Sequence, residues 1–212
     1  MLENARQEII HFGKQLITSH LTTGSGGNLS LCDRERGLVA ISASGLDYFA
    51  MTPEDIVVTD LEGQPVEGER KPSSELGFHL ALYHARPDVA AVVHTHSVYA
   101  TTIACLNWEL PAVHYLVGFS GNKVPLCPYA PFGTRELAEK IARSIGGYNA
   151  LLMANHGLVT VGPTLARAFA AAEEIELVAQ IYYQAKAIGE PVILSDEQME
   201  VVLERFKSYG QK

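Results

Sequence analysis

The chain divides into segments whose apolar residues recur with a helical period and into shorter apolar runs typical of strands. Helical spacing over residues 3–20, 73–85, 97–106, 133–146 and 164–189 predicts five helices. A capping box formed by Ser195 and Gln198 predicts a sixth helix, which runs through Phe206. The apolar side of the longest helix is predicted to contain Leu165, Phe169, Ala172, Ala179 and Tyr183.

Strands are predicted at LVAIS, DIVVTD, VAAVVHTH, PAVHYL and VPLC. The segment ALLMANHGLVTVG predicts one or two buried strands interrupted at Asn155–Gly157, whereas TTGSGGNLS and LEGQPVEGERKP are rich in turn residues and predict loops. Because several predicted strands follow one another with no helix between them, a doubly wound parallel sheet is not expected. We predict an α/β fold of three layers, α/β/α, with a central mixed, largely antiparallel sheet covered by helices on both faces. Residues 1–212 are interpreted as a single domain.

The composition argues against several classes of function. The 212 residues carry 16 basic and 24 acidic side chains, a formal charge of −8, which argues against a dedicated binder of nucleic acid or of anionic membranes. No signal peptide is apparent at the N-terminus, and no apolar run approaches the ~20 residues of a membrane span. The cysteines, Cys32, Cys105 and Cys127, are scattered and predict reduced thiols in a cytoplasmic protein.

Histidines follow two of the predicted strands. His94 and His96 are two residues apart in AVVHTHSVYA, so both side chains point to one side of the strand. His156 follows the buried run ALLM in the same manner. Each histidine alone could be a hydrogen-bonded structural residue, but three neutral imidazoles at neighbouring strand ends would suit a zinc-like ion with a position left open for substrate. Glu75 is the candidate carboxylate, although a first-turn helix glutamate is common.

Two loops predict an anion site. Ser73 and Ser74, in KPSSE, lie where a helix is expected to begin, and free backbone N–H groups there attract anions. TGSGGN adds glycines and Asn28, and no Walker motif is present. Ser44 and Gly45, in ISASG, are a candidate third wall of a phosphate cradle.

The ordered motifs SGGNLS, ISASG, KPSSE, VVHTHS, HYLVGFSGNKVPLCPYAPFGTREL, NHGL and RFKSYG resemble the class II aldolase/adducin family, and within it the L-fuculose-1-phosphate aldolase members. The resemblance covers essentially the whole chain. It implies one Zn²⁺ per subunit on His94, His96, His156 and Glu75, with Glu75 also the catalytic acid/base. It implies a homotetramer with active sites at subunit interfaces, in which Tyr115 and Tyr209 face the active site and Tyr209 reaches it from a neighbouring subunit. The implied phosphate-binding residues are Gly27, Asn28, Ser44, Gly45, Ser73 and Ser74.

The resemblance also implies a reaction, the reversible aldol cleavage of L-fuculose 1-phosphate to dihydroxyacetone phosphate and L-lactaldehyde. Ribulose 1-phosphate or a 5-deoxypentulose 1-phosphate remain alternative substrates. Rival functions are an L-ribulose-5-phosphate 4-epimerase, whose members typically carry KPSSD, another sugar-phosphate aldolase or a methylthioribulose-phosphate dehydratase, and a non-enzymatic adducin-like binding module. We expect His79, one turn after Glu75, to support its neighbours rather than bind the ion.

Overall fold

Residues 1–207 are described by a computed structural model, and their centre is one eight-stranded sheet in the order β4-β3-β2-β1-β5-β8-β7-β6. All neighbouring strands are antiparallel except β6 and β7, which are parallel. The strands are β1 Asn28–Asp33, β2 Leu38–Ile41, β3 Val57–Asp60, β4 Pro65–Glu67, β5 Ala91–Thr95, β6 Leu126–Cys127, β7 Ala150–Met153 and β8 Gly157–Gly162.

Six α-helices accompany this sheet within residues 1–207, and their N-termini follow local capping rules. The helices are α1 Glu3–Thr18, α2 Leu76–Ala85, α3 Val98–Cys105, α4 Arg135–Ile145, α5 Leu165–Ile188 and α6 Asp196–Phe206. The Thr134 and Thr164 side chains accept hydrogen bonds from the first turns of α4 and α5. The predicted capping box of Ser195 and Gln198 is confirmed at the start of α6.

Alternation along the strands produces the three layers. In β5, Val92 packs into a core cluster with side chains of α2 and α4, whereas Ala91 and Val93 pack on the opposite side with α1 and α5. In β7, Leu151 faces α2 and α4, whereas Leu152 faces α3 and α5. The predicted three-layer arrangement around a mixed, largely antiparallel sheet is therefore confirmed.

Several local predictions were wrong. No strand was predicted at β1, which begins inside the segment TTGSGGNLS predicted as a loop, where Asn28 already pairs with β5. The predicted turn segment LEGQPVEGERKP contains the short edge strand β4. PAVHYL is not a strand: Leu110 forms one isolated bridge, and Tyr115–Phe119 is a 3-10 helix. In α5 the buried tyrosine is Tyr182, whereas Tyr183 is half-exposed.

Three central strands position the candidate site. In the antiparallel registers Asn28 of β1 lies opposite His94 of β5, and His94 lies opposite Val159 of β8. The C-terminal end of β5 therefore lies between the N-terminal ends of β1 and β8, in the centre of the sheet. Within the described residues, no helix is long and apolar enough to cross a membrane.

Candidate metal centre and adjoining cavity

Three histidine rings converge where β5 ends and β8 begins. His94 Nε2 lies 2.9 Å from His96 Nε2, and the ring centroid of His94 lies 4.8 Å from that of His156. One ligand nitrogen from each ring falls within 4.8 Å of the others. His94 is buried, His156 is partly buried and His96 is exposed, so the cluster is open to solvent on one side.

A backbone carbonyl fixes the ring orientation of His94. Its Nδ1 lies 2.9 Å from the carbonyl oxygen of Leu158, which only accepts, so Nδ1 donates the proton. Burial lowers the pKa of His94 to about 3, and burial also lowers the pKa of His96. In neutral His94 the Nε2 atom is therefore unprotonated and faces the other two rings, which is the state required of a metal ligand.

Glu75 brings a carboxylate against these rings. It is the residue just before α2, and its Oε2 and Oε1 lie 3.3 Å from His94 Nε2 and 3.2 Å from His156 Nε2. Asn28 donates from Nδ2 to Oε2 at 2.8 Å, whereas the buried Oε1 makes no hydrogen bond. Burial alone would raise the pKa of Glu75, but His94, His156 and the Asn28 amide together hold it well below its ordinary value.

These four side chains fit a divalent ion. Zinc–nitrogen bonds of ~2.0–2.1 Å place tetrahedral ligand atoms about 3.3 Å apart. Three separations are close to this value: 2.9 Å between the Nε2 atoms of His94 and His96, 3.3 Å from His94 Nε2 to Glu75 Oε2, and 3.2 Å from His156 Nε2 to Glu75 Oε1. The donors are neutral imidazoles and an ionised carboxylate, and the unpartnered Oε1 of Glu75 is buried at a cost unless a positive group meets it.

A tight turn delivers His156 to the cluster. Asn155 adopts a left-handed φ of 55°, and the N–H of His156 donates to the carbonyl of Met153. The next residue, Gly157, begins β8 directly against the backbone of Thr95, where a Cβ would overlap the carbonyl oxygen. Only glycine therefore allows β8 to approach β5 closely enough for His156 to meet His94.

A cavity of about 430 Å³ adjoins the histidine cluster. All six residues predicted to bind phosphate line it together with Glu75, His96 and His156, and these six are Gly27, Asn28, Ser44, Gly45, Ser73 and Ser74. The loops that contain KPSSE and ISASG meet because the Ser73 N–H donates to Ser42 O and the Ser44 N–H donates to Lys71 O, both at 3.1 Å. The helix begins later than predicted, at Leu76, so the two serines precede it, and Ser73 Oγ accepts from the Glu75 N–H at 3.2 Å.

The glycine-rich loop is held against β5 by close packing. Gly27 has a φ of 70°, and a Cβ there would lie 2.7 Å from the carbonyl oxygen of His94. The buried Tyr48 donates from its hydroxyl to the carbonyl oxygen of Gly27 at 3.0 Å. Gly27 therefore needs to be glycine both for its backbone conformation and for this contact.

The two tyrosines predicted at the active site are not among the described residues that line the cavity. Tyr115 is half-exposed at the start of the 3-10 helix, where its ring contacts those of His114 and Phe206, and it does not line the cavity. Tyr209 lies outside the described residues. Sequence analysis missed Tyr129 and Phe132, two exposed aromatic residues that do line the cavity. Both lie inside the motif HYLVGFSGNKVPLCPYAPFGTREL, to which no site role was assigned. Their place between Cys127 and Thr134 predicts a loop but not the direction of their side chains.

The protein is thus a three-layer α/β/α fold with a histidine–glutamate cluster whose side chains could hold a metal ion. Residues 7–183 match the family model of the Class II Aldolase and Adducin N-terminal domain, and the chain belongs to this family. It is 52% identical over 212 residues to a 5-deoxy-D-ribulose 1-phosphate aldolase of Bacillus thuringiensis serovar kurstaki, covering 100% of both chains. It is 41% identical over 206 residues to the L-fuculose phosphate aldolase of Escherichia coli K12, covering 96% of this chain and 94% of the relative. A solved structure of an L-fuculose 1-phosphate aldolase superposes with a TM-score of 0.96 at 47% identity, over 98% of each chain.

Proposed function

We propose that this chain is a class II aldolase that reversibly cleaves a ketose 1-phosphate to dihydroxyacetone phosphate and an aldehyde. The observation that carries the proposal is the position of Glu75, whose carboxylate contacts two histidines of the cluster while its N–H bonds Ser73 of the cavity. Glu75 thus connects the candidate metal site to the cavity that is proposed to bind the phosphate. The proposal treats residues 1–212 as one class II aldolase-like domain, in keeping with the single continuous sheet.

The proposed ligands of one Zn²⁺, or of another divalent ion, are His94, His96, His156 and Glu75. Bound there, the ion would act as a Lewis acid towards the ketone and hydroxyl oxygens of the substrate. The protein prepares this site in two ways. The Leu158 carbonyl oxygen keeps His94 Nε2 unprotonated, and glycine at position 157 lets β8 approach β5 closely. A chain that keeps these four side chains argues against the adducin-like binding module.

The cavity residues position the substrate. Ser44, Ser73 and Ser74 contribute hydroxyl groups, Asn28 an amide, and Gly27 and Gly45 backbone that a phosphate can approach closely. The phosphate is bound away from the C3–C4 bond that breaks, and its binding energy positions the three-carbon fragment for the reaction. Glu75, ionised at neutral pH because its pKa is held low, then lies beside that fragment and moves the C3 proton.

Two tyrosines are the proposed partners of the aldehyde product. Tyr115 or Tyr209 protonates or polarises the C4 oxygen of the leaving aldehyde. Tyr115 is half-exposed and does not line the cavity of its own chain, so its proposed role requires the homotetramer with active sites at subunit interfaces that is part of this proposal.

The names of two relatives support two alternative substrates. L-Fuculose 1-phosphate would give L-lactaldehyde, and the L-fuculose phosphate aldolase relative supports it. A 5-deoxyribulose 1-phosphate is supported by the relative with 52% identity over the full length. Both carry phosphate on C1 and a methyl group at the far end of the sugar, so they share the same proposed cradle. One methyl or hydroxyl difference changes preference by only ~1–3 kcal/mol in an apolar pocket.

A substrate panel tests the proposal. L-Fuculose 1-phosphate, 5-deoxyribulose 1-phosphate, ribulose 1-phosphate and ribulose 5-phosphate are incubated with the purified protein, with and without chelator, and dihydroxyacetone phosphate is measured. We expect chelator-sensitive release from one or more ketose 1-phosphates and none from ribulose 5-phosphate. Epimerisation of ribulose 5-phosphate without release of dihydroxyacetone phosphate would support the epimerase instead, and turnover of no substrate with metal bound would overturn the aldolase.

A further inference from the structure

A continuous row of buried polar side chains links α2 to β1 and ends at Glu75. The Tyr83 hydroxyl lies 2.6 Å from Ser30 Oγ, which lies 2.7 Å from His79 Nδ1. His79 Nε2 lies 2.6 Å from Asn28 Oδ1, and Asn28 Nδ2 lies 2.8 Å from Glu75 Oε2. No member of the row is more than 7% exposed, so water does not substitute for these partners.

The row follows from two sequence spacings. Glu75, His79 and Tyr83 are four residues apart and share one face of α2 and its N-terminal flank. Asn28 and Ser30 are two residues apart and share one side of β1. The two sets interleave, so each β1 side chain bridges two from α2.

The row has only one consistent direction of donation. The ionised Glu75 accepts only, so Asn28 presents its NH₂ group to Glu75 and its Oδ1 to His79. Oδ1 also accepts only, which requires the hydrogen on His79 Nε2. Burial lowers the pKa of His79 to about 3, so the ring is neutral and Nδ1 accepts from Ser30. Ser30 then accepts from Tyr83.

We propose that His79 is a positioning residue that holds the Asn28 amide with its NH₂ group on Glu75 and so fixes the carboxylate that faces the substrate. This inference rests on the proposed function of Glu75 as the acid/base. The row is not a proton relay, because an amide does not transfer a proton along its length. His79 acts through Asn28, which belongs both to the row and to the cavity that is proposed to bind phosphate. Loss of His79 therefore disturbs the reacting carboxylate without removing any proposed metal ligand.

Two variants of the zinc-loaded, full-length protein separate this role from a structural one. His79→Gln keeps a side-chain N–H that can reach Asn28 Oδ1, whereas His79→Leu keeps bulk but removes donor and acceptor. His84→Leu is the matched control, since His84 lies on the same helix, is exposed and contacts only the Leu61 carbonyl oxygen among the hydrogen bonds described. Zinc content, thermal unfolding, dihydroxyacetone phosphate affinity and exchange of its C3 proton with solvent are measured for each.

We expect His79→Leu to lower the rate of C3-proton exchange by ~10–100-fold with zinc still bound, and with a smaller change in dihydroxyacetone phosphate affinity. His79→Gln should recover most of that loss, and His84→Leu should match wild type. Equal exchange rates in folded, zinc-loaded wild type and His79→Leu would overturn the proposal.

A spectroscopic measurement tests the proposal even if His79→Leu fails to fold or the chain proves not to be an aldolase. In ¹⁵N-histidine NMR of the wild type, His79 should remain the neutral Nε2–H tautomer between about pH 5 and 8, because its pKa is about 3. A protonated ring or the Nδ1–H tautomer in this range would reverse the direction of donation and overturn the proposal. If wild type shows the expected tautomer but neither cleaves a ketose phosphate nor exchanges the C3 proton, only the proposed function fails.

Discussion

The backbone of Gly157 packs against the carbonyl oxygen of Thr95 so closely that no Cβ fits between β8 and β5. A Cβ at this position would also lie 3.1 Å from His96 Cδ2 and 3.3 Å from His94 Cε1. The geometry of the candidate metal centre thus depends on a residue that is not among its proposed ligands.

Replacement of Gly157 is the first prediction. In Gly157→Ala the two strands have to separate, so we expect a loss of ~1–3 kcal/mol in the free energy of unfolding, together with reduced zinc affinity. Gly147→Ala is the control, because no atom lies within 4 Å of a Cβ there. Urea denaturation and zinc titration measure both quantities. Wild-type zinc affinity in Gly157→Ala would mean that the cluster tolerates the movement.

Metal stoichiometry provides the second prediction. Each of His94→Ala, His96→Ala and His156→Ala should lower zinc content and aldol cleavage together, because each removes one of three converging nitrogens. His11→Ala, at an exposed position on α1, should leave both unchanged. Elemental analysis after gel filtration measures zinc per chain. Stoichiometric zinc in the His94→Ala/His96→Ala double variant would place the ion elsewhere.

Much of this arrangement could be predicted from the sequence because it depends on short periods. His94 and His96 share a side of β5 through the two-residue period of a strand, and the serines of KPSSE lie beside Glu75 in the chain. The whole of β1 was missed, and its first residues were assigned to a loop: Asn28 and Ser30 are polar although buried, because they face polar groups of α2 rather than apolar ones. The 3-10 helix at Tyr115 was likewise missed, since its position depends on packing against α6.

The third prediction separates the two serines. Ser74 is exposed in the cavity, so Ser74→Ala should mainly weaken binding of phosphorylated ketoses. Loss of a hydrogen bond to a charged group costs ~1.5–3 kcal/mol, or roughly 10- to 100-fold in Kd. Ser73→Ala also removes the acceptor for the Glu75 N–H and should lower kcat as well. Cleavage of the unphosphorylated ketose is the control for Ser74→Ala, and an equal effect on both substrates would contradict the phosphate cradle.

The fourth prediction concerns acid stability. Burial, partly opposed by the charge of Glu75, lowers the pKa of His79 from 6.5 to about 3, so between these values the unfolded chain binds a proton that native His79 does not. Stability therefore falls as pH falls through this window, by up to ~1.4 kcal/mol per pH unit from this residue. His79→Gln removes this contribution, whereas His94 contributes alike in both proteins. We expect urea denaturation at pH 6, 5.5 and 5 to give a shallower slope for His79→Gln, and equal slopes would contradict a buried neutral ring.

The last prediction isolates the chemical role of Glu75. Its N–H bonds Ser73, and its carboxylate lies between the histidines and the cavity, so a phosphate held by the serines fixes the three-carbon fragment within reach of it. Glu75→Gln keeps the size and an oxygen that can accept from Asn28 but removes the base. Loss of general acid–base catalysis lowers rates by ~10²–10⁴-fold. The variant should retain zinc on the three histidines and still bind dihydroxyacetone phosphate.

Exchange of the C3 proton of dihydroxyacetone phosphate with solvent measures this step alone, because no aldehyde takes part. Glu8→Gln, an exposed carboxylate on α1, controls for the loss of one negative charge and should exchange at the wild-type rate. If Glu75→Gln exchanges at the wild-type rate with zinc bound, another group is the base, and Tyr115→Phe becomes the next variant to test. If exchange is lost only because zinc is lost, restoring exchange with excess zinc will reveal it, and Glu75 is then a ligand without a role in proton transfer.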